Sequence, residues 1–213
     1  MQTHDLVQGS DLWHEFRATH FGASEAAAML GISPYKTRSQ LLHEKHTGIV
    51  PDVDAGTQSR FDDGHRFEAL ARPLAEKIIG QELSPVTISE GKLSASLDGI
   101  TFDDTVIWEH KTANAALLVS LRAKSIPDQY LPQIEQQLML SGAERCLFSA
   151  TKWDGDVLVE DAHCWHTSDP LMQERIRTGW AAFHRDLETY VPPEVIPEVI
   201  AAPIKDLPAI TYK

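Results

Sequence analysis

Apolar positions in this chain follow two rhythms, one of three to four residues and one of two, and the switch between them lays out the fold. The helical rhythm comes first. Trp13, Phe16 and Arg17 cluster on a helix predicted over Asp11–Thr19. Ser24–Leu30 reads as a second helix, capped by Ser24 and stopped by Gly31, and a third over about Ser39–His46 stops at Gly48. Asp62–Ile79 is long and amphipathic, with Phe67, Leu70, Ala71, Leu74 and Ile78 on its apolar side. Pro73 lies inside it and is expected to kink or split it. Strands follow at about Glu82–Ser89, Leu93–Asp98 and Val106–Lys111. Helices near Ala113–Lys124 and Asp128–Ser141 separate these from strands at Arg145–Lys152 and Val157–His166, and a last helix runs over about Pro170–Tyr190.

That order predicts an α/β fold, a small mixed central sheet flanked by helices. A chain of 213 residues has room for one domain with a real core, or for two small ones. The simpler division is one domain over residues 1–191, with a helical part at about 11–80, a sheet core at about 82–167 and a terminal helix at about 170–190. Residues 192–213 carry Pro192, Pro193, Pro197, Pro203 and Pro208 and read as an extended arm or partner-binding strap. No apolar run approaches membrane-spanning length and no basic segment leads into an apolar one, so a cytoplasmic protein is expected. Cys146 and Cys164 sit singly in strand-like segments and read as small buried hydrophobes.

Charge narrows the picture. A net charge of −12 argues against a generic nucleic-acid binder. A protein of this composition that handled DNA would need a local basic channel. The candidates are Lys36, Arg38, Lys45, Arg60, Arg66, Arg72 and Lys77, the most basic stretch of the chain.

The sharpest chemistry is Ser96-Leu97-Asp98-Gly99 followed by Glu109-His110-Lys111. These read as two strands joined by a turn through Gly99 and Asp103-Asp104. Alternation puts Glu109 and Lys111 on one face, with Trp108 and His110 on the other, and gives Ser94, Ser96 and Asp98 a common face. A hairpin aiming Asp98, Glu109 and Lys111 at one spot offers two oxygen ligands for a hard cation with an ammonium beside them, the minimum for metal-assisted phosphodiester hydrolysis. Asp-Gly is also a common turn and Glu-x-Lys a common solvated face. The apolar start Val106-Ile107-Trp108 favours the first reading, because charges ending a buried strand are costly unless paired or metal-bound. The ten histidines make no tetrahedral zinc set, and no phosphate loop of the Walker type is present.

Six ordered motifs carry a resemblance. They are Gln8-Gly9-Ser10-Asp11-x-Trp13-His14-x-x-Arg17, Ala23-Ser24-Glu25, Gly64-x-x-x-Glu68-x-x-Ala71-Arg72, Ser96-x-Asp98-Gly99, Glu109-x-Lys111, and Tyr130-x-x-Gln133-Ile134-x-Gln136. Across residues 8–167 the chain resembles the lambda exonuclease or YqaJ-type viral recombinase family, phage enzymes of the PD-(D/E)XK nuclease superfamily that resect duplex DNA from 5′ ends. The resemblance implies a restriction-endonuclease-like core and a Mg²⁺ site, with two ions and Mn²⁺ as a substitute. The metal would be held by Asp98, Glu109 and the backbone carbonyl of His110. It implies Lys111 orienting or deprotonating the attacking water, and Glu68 and Gln133 beside the metals, although Glu68 also suits an ion pair with Arg72. Where the family often shows Gln-x-Gln this chain has Gln133-Ile134-Glu135-Gln136, which leaves the second position open. The matching Arg17, Ser24 and Ser96 imply a pocket for a 5′-terminal phosphate; read without it, Arg17 is a solvated charge and Ser24 an ordinary cap. Trp13 reads as core.

The resemblance further implies double-stranded DNA ends as substrate, a homotrimeric ring around DNA, a single-strand annealing protein as partner, and a phage or prophage setting in a bacterial host. A different PD-(D/E)XK endonuclease and an inert module that binds DNA ends are the alternatives. The first would cut closed circles. The second has no need of Asp98, Glu109 and Lys111 together.

Overall fold

The computed structural model describes residues 1–49 and 55–192, with only the backbone described over 55–63. The proline-rich stretch expected to form an arm lies almost entirely outside the described residues.

Seven strands form one mixed sheet. They are β1 (Gln2–His4), β2 (Phe21–Gly22), β3 (Leu83–Glu90), β4 (Leu93–Thr101), β5 (Val106–Thr112), β6 (Arg145–Asp154) and β7 (Val157–Thr167). The order is β1-β3-β4-β5-β6-β7, and β2 pairs with the start of β4. β5 and β6 run parallel, as do β2 and β4, while the other pairs are antiparallel. The β5-to-β6 connection makes the crossover that a parallel pair requires, through α5 (Ala115–Arg122) and α6 (Leu131–Ser141). The helices before β3 are α1 (Asp11–Thr19), α2 (Ala26–Met29), α3 (Arg38–Thr47) and α4 (Ala55–Ile79), and α7 (Pro170–Glu188) follows β7.

The main core lies between the sheet and α5–α6, where Leu97, Ile107, Phe148 and Ala150 meet Leu117, Leu121, Ile134 and Leu138. On the other face, Ala71 and Ala75 of α4 pack on Leu83, Trp108 and Leu147. A third cluster joins α2, α3 and α7, with Phe21 stacked on Trp180 at 4.8 Å. Cys146 and Cys164 are free and buried, as small apolar residues would be.

Several expectations need correction. Gly99 is no turn: it lies inside β4 opposite Trp108, and a Cβ there would stand 2.9 Å from that of Leu83. The reversal comes later. Asp103 accepts hydrogen bonds from Thr101, Thr105 and Gln81, and Asp104 takes φ 57°. Those hydroxyl and amide donors hold the Asp103 carboxyl well below the usual carboxylate range. Ser24 is not an N-cap; it sits within a 3-10 turn, Ala23–Glu25, that leads into α2. Pro73 does not split α4, because it and Ala69, whose carbonyl it leaves without a helical donor, both face water. The face of α4 on the sheet is built from small alanines, and Ile78 leans out. The two short strands β1 and β2 carry no alternation long enough to be seen in the sequence.

Candidate active site

Beside the paired residues Gly99↔Trp108 and Ile100↔Ile107, β4 and β5 share no further register, so the strands splay at Asp98 and Glu109. The Asp98 side chain fills the gap and accepts the His110 N–H at 2.8 Å through Oδ2. In an extended strand the N–H and C=O of one residue point to the same side. The His110 carbonyl is therefore directed toward the Asp98 side as well.

Glu109 is 1% exposed and gripped by three donors. Lys111 Nζ reaches Oε1 at 2.5 Å, Gln133 Nε2 reaches Oε1 at 2.6 Å, and Gln137 Nε2 reaches Oε2 at 2.6 Å. Gln133 Oε1 in turn accepts from Lys111 at 3.3 Å. Gln137 also donates to the Ser96 carbonyl at 3.3 Å, while its own buried Oε1 has no partner. Gln137 was missed in the sequence. The signal was there, since it lies one helical turn from Gln133 and shares its face. Gln136, singled out instead, points away: it donates to Phe21 O and Ser94 O and accepts from Trp180.

Glu68 comes in from α4. Its carboxylate accepts from Arg72 at 2.9 Å, and Arg72 also donates to Asp98 O at 3.2 Å. The ion pair and the place beside the acidic centre are thus both present. Burial, with Glu109 and Glu68 nearby, pushes the Asp98 carboxyl well up; burial also raises Glu68 despite Arg72. Burial alone would lower Lys111, but the Glu109 and Asp98 carboxylates outweigh it and hold the ammonium above its ordinary value. His110 turns its ring to the other face, where it meets Thr151 Oγ1 at 2.7 Å, and burial lowers it to about 3.

Among the described residues no three His, Cys, Asp or Glu side chains form a ready-made metal cage. Two carboxylates and a strand carbonyl at a splayed edge are nevertheless an all-oxygen donor set. They fit a hard divalent cation that keeps several of its waters. Burial raises both Asp98 and Glu68, with the neighbouring carboxylates adding to it, and a bound cation would oppose that rise.

A second cluster flanks this one. Arg17 stacks on Trp13 at 4.6 Å and donates to Ser24 Oγ at 3.1 Å, and Trp13 Nε1 donates to Ser96 Oγ at 2.9 Å. Arg17, Ser24 and Ser96 are thus brought together around Trp13, itself core. Glu25 anchors the arginine from behind at 3.5 Å, while Lys45 holds Glu25 at 2.9 Å and closes the end of α1 through the carbonyls of Arg17 and His20.

The basic stretch does not form an open cationic strip. Lys36 pairs with Glu44, Arg38 with Asp186, Lys45 with Glu25, Arg66 with Asp156 and Arg72 with Glu68. The side chain of Arg60 lies outside the described residues, and Lys77 is exposed.

Comparison with known proteins gives the fold its relatives. The structure superposes on an alkaline exonuclease (LHK-Exo) from Laribacter hongkongensis with a TM-score of 0.69 and 21% identity, over 84% of this chain and 93% of that one. A phage-related exonuclease from Haemophilus somnus 129PT shares the fold at a TM-score of 0.59 and 10% identity, over 80% and 94%. Protein D345L of African swine fever virus (strain Badajoz 1971 Vero-adapted) is 29% identical over 162 residues, 63% of this chain. The chain spans 46% of that relative's length. The sequence profile of the YqaJ-like viral recombinase domain matches residues 12–144, a span that holds every residue of both clusters, and the chain belongs to that family.

Proposed function

We propose that this protein is a metal-dependent exonuclease that degrades one strand of linear double-stranded DNA, 5′ to 3′, from a 5′-phosphorylated end. It releases mononucleotides and leaves a 3′ single strand for phage-type recombination. The observation that carries this reading is the convergence of Asp98, Glu109 and Lys111 at the β4–β5 splay, braced by Gln133 and Gln137.

Asp98, Glu109 and the His110 carbonyl would hold Mg²⁺, or Mn²⁺ in its place. When bound, the metal supplies Lewis-acid polarisation of the phosphate and of its water. The chain's own residues do the rest. Gln133 and Gln137 fix the Glu109 carboxylate so that its rotamer is set before substrate arrives. Lys111, kept protonated by its carboxylate neighbours, acts as a fixed positive charge beside the phosphate, stabilising negative charge as it develops and orienting the water. Glu68, next to the site and partly neutralised by Arg72, is a further oxygen acceptor for metal-bound water.

Arg17, Ser24 and Ser96 form the receptor for the terminal 5′-phosphate, with Trp13 as its floor. Residues 1–191 act as one nuclease domain. A homotrimeric ring and a single-strand annealing partner complete the reading, the ring supplying a channel that one protomer's paired cations do not.

The test is digestion in Mg²⁺ of linear duplexes bearing a 5′-phosphate or a 5′-hydroxyl, beside a closed circle and Asp98→Ala. Mononucleotide release from the phosphorylated linear duplex is expected, weaker release from the hydroxyl end, and none from the circle or by the variant. Cutting of the circle would make the protein an endonuclease instead, and no cutting with either metal would leave an end-binding module.

A further inference from the structure

Helix α1 presents two adjoining rows to the sheet. Trp13 and Arg17 face β4, while Phe16 and His20 face the β1–β3 edge, their rings stacked at 4.0 Å and 22°. His4 of β1 lies against Phe16 at 4.5 Å and bonds Ser89 Oγ at 2.7 Å. With Glu90 and Gly91 at the β3–β4 turn, these residues line an open cleft of about 480 Å³.

Among the described residues no lysine or arginine lines this cleft; Met1, Gln2 and Ser89 complete its walls, and Glu90 is its one acidic side chain. A phosphate or carboxylate would meet the Glu90 carboxylate there and has no lysine or arginine to pair with. Ring surface, neutral hydrogen-bonding groups and one carboxylate acceptor suit an uncharged planar heterocycle carrying N–H donors, the description of a nucleobase. The place is also specific. Phe16 directly precedes Arg17 in the chain, Thr87 Oγ1 lies 3.2 Å from Ser96 Oγ, and residue Thr87 stands opposite His4 in the β1–β3 register. Two strand spacings of about 4.8 Å each therefore separate the phosphate receptor from the cleft, which is the reach of one nucleotide.

We propose that this cleft receives the unstacked base of the 5′-terminal nucleotide whose phosphate rests on Arg17, Ser24 and Ser96. The inference rests on the end-directed exonuclease reading. Recognition of the end then has two halves, an anionic one on α1 and the 3-10 turn and a base-sized one on α1, β1 and β3, and the terminal pair must open for both to fill.

The experiment compares 5′-phosphorylated duplexes that differ only in whether the first nucleotide carries a base or is abasic. Release of that nucleotide is followed in Mg²⁺, and equilibrium binding in Ca²⁺. The base-bearing end is expected to show a KM and Kd at least about fivefold lower. His20→Ala and Glu90→Gln, each checked for an unchanged melting temperature, should bring the two ends within twofold of each other. Equal KM and Kd for the two ends in the unaltered protein would overturn the proposal while leaving the exonuclease intact. So would a ratio that persists in both variants. If neither end is digested the exonuclease reading fails, and the Kd ratio in Ca²⁺ alone then decides whether the cleft binds a base.

Discussion

Asp98 shows most directly what the site costs the fold. Its carboxyl is buried, sees Glu109 and Glu68, and has its pKa raised well above the ordinary value. A carboxyl raised in the folded state favours folding below its unfolded pKa, and that contribution is lost as pH rises through the folded value. Ionising that carboxyl without a cation beside it therefore costs stability. Asp98→Asn removes the charge yet keeps an oxygen to accept the His110 N–H. In chelator the variant should melt about 2–4 °C higher than the unaltered protein at pH 8, a gain of roughly 1 kcal/mol, and the gap should close toward pH 4. Added Mg²⁺ should raise the melting temperature of the unaltered protein and leave the variant's unchanged. A variant that melts lower at pH 8, or gains as much from Mg²⁺, would remove Asp98 from the metal site. Stability gained where activity is lost is the expected signature of a functional carboxylate.

At the scale of elements, α6 does two jobs with opposite faces. Gln133 and Gln137 look toward Glu109. Glu135, fully buried, takes His166, the Asp169 N–H and Gln173, and Gln136 ties α6 to Phe21, Ser94 and Trp180. The helix is pinned on one side so that its amides can grip on the other. Gln137→Leu keeps volume and helix but strips Glu109 Oε2 of its donor, so kcat should fall by about 10²-fold with KM within threefold, alongside roughly 1–3 kcal/mol of stability. Gln136→Leu should cost similar stability with a much smaller loss of kcat. Equal kcat losses in the two variants would mean that both act only by loosening the helix. The same helix shows where sequence was legible. Its hydrophobic period located it, and Gln133 was found by resemblance, but which neighbouring glutamine shares its face depended on where the helix is anchored, which the Glu135 and Gln136 contacts decide. α1 was placed to the residue because Ser10 caps it locally and Arg17 stands in its last turn, before the extended His20. Gly99 was misread because Asp-Gly signals a turn in isolation, whereas here the close approach of Leu83 demands a residue without a side chain. β1 and β2 were invisible because strands of three and two residues exist only through their partners. The pairing of the basic stretch was hidden because its acidic partners, Asp156 and Asp186 among them, lie far away in the chain.

The whole molecule carries a net charge of −12 and spends most of its 36–77 cations on its own carboxylates. On the exonuclease reading, the net acidity would disfavour binding along the flank of a duplex and favour approach through its end. Within the two site clusters one protomer offers chiefly Arg17, at the proposed phosphate receptor, and Lys111, at the acidic centre, and each already shares a carboxylate. Neutralising about two or three phosphates releases a correspondingly small number of counterions, so the slope of log affinity against log salt for a phosphorylated duplex end should lie near −2 to −3. A closed ring changes that number. Three protomers around one duplex would set three copies of each unpaired cation, Lys77 included, against the backbone, and the slope should steepen beyond about −6. Binding in Ca²⁺ across a salt series, with particle mass measured by light scattering on the same samples, separates the two. A trimer with a steep slope supports encirclement. A trimer with a shallow slope places the protomers together but the DNA on one of them. A monomer with a steep slope would place DNA on cations outside the two clusters, either those in no ion pair among the described residues, such as Lys77 and Lys92, or those that Glu44, Asp186, Glu25, Asp156 and Glu68 would have to release.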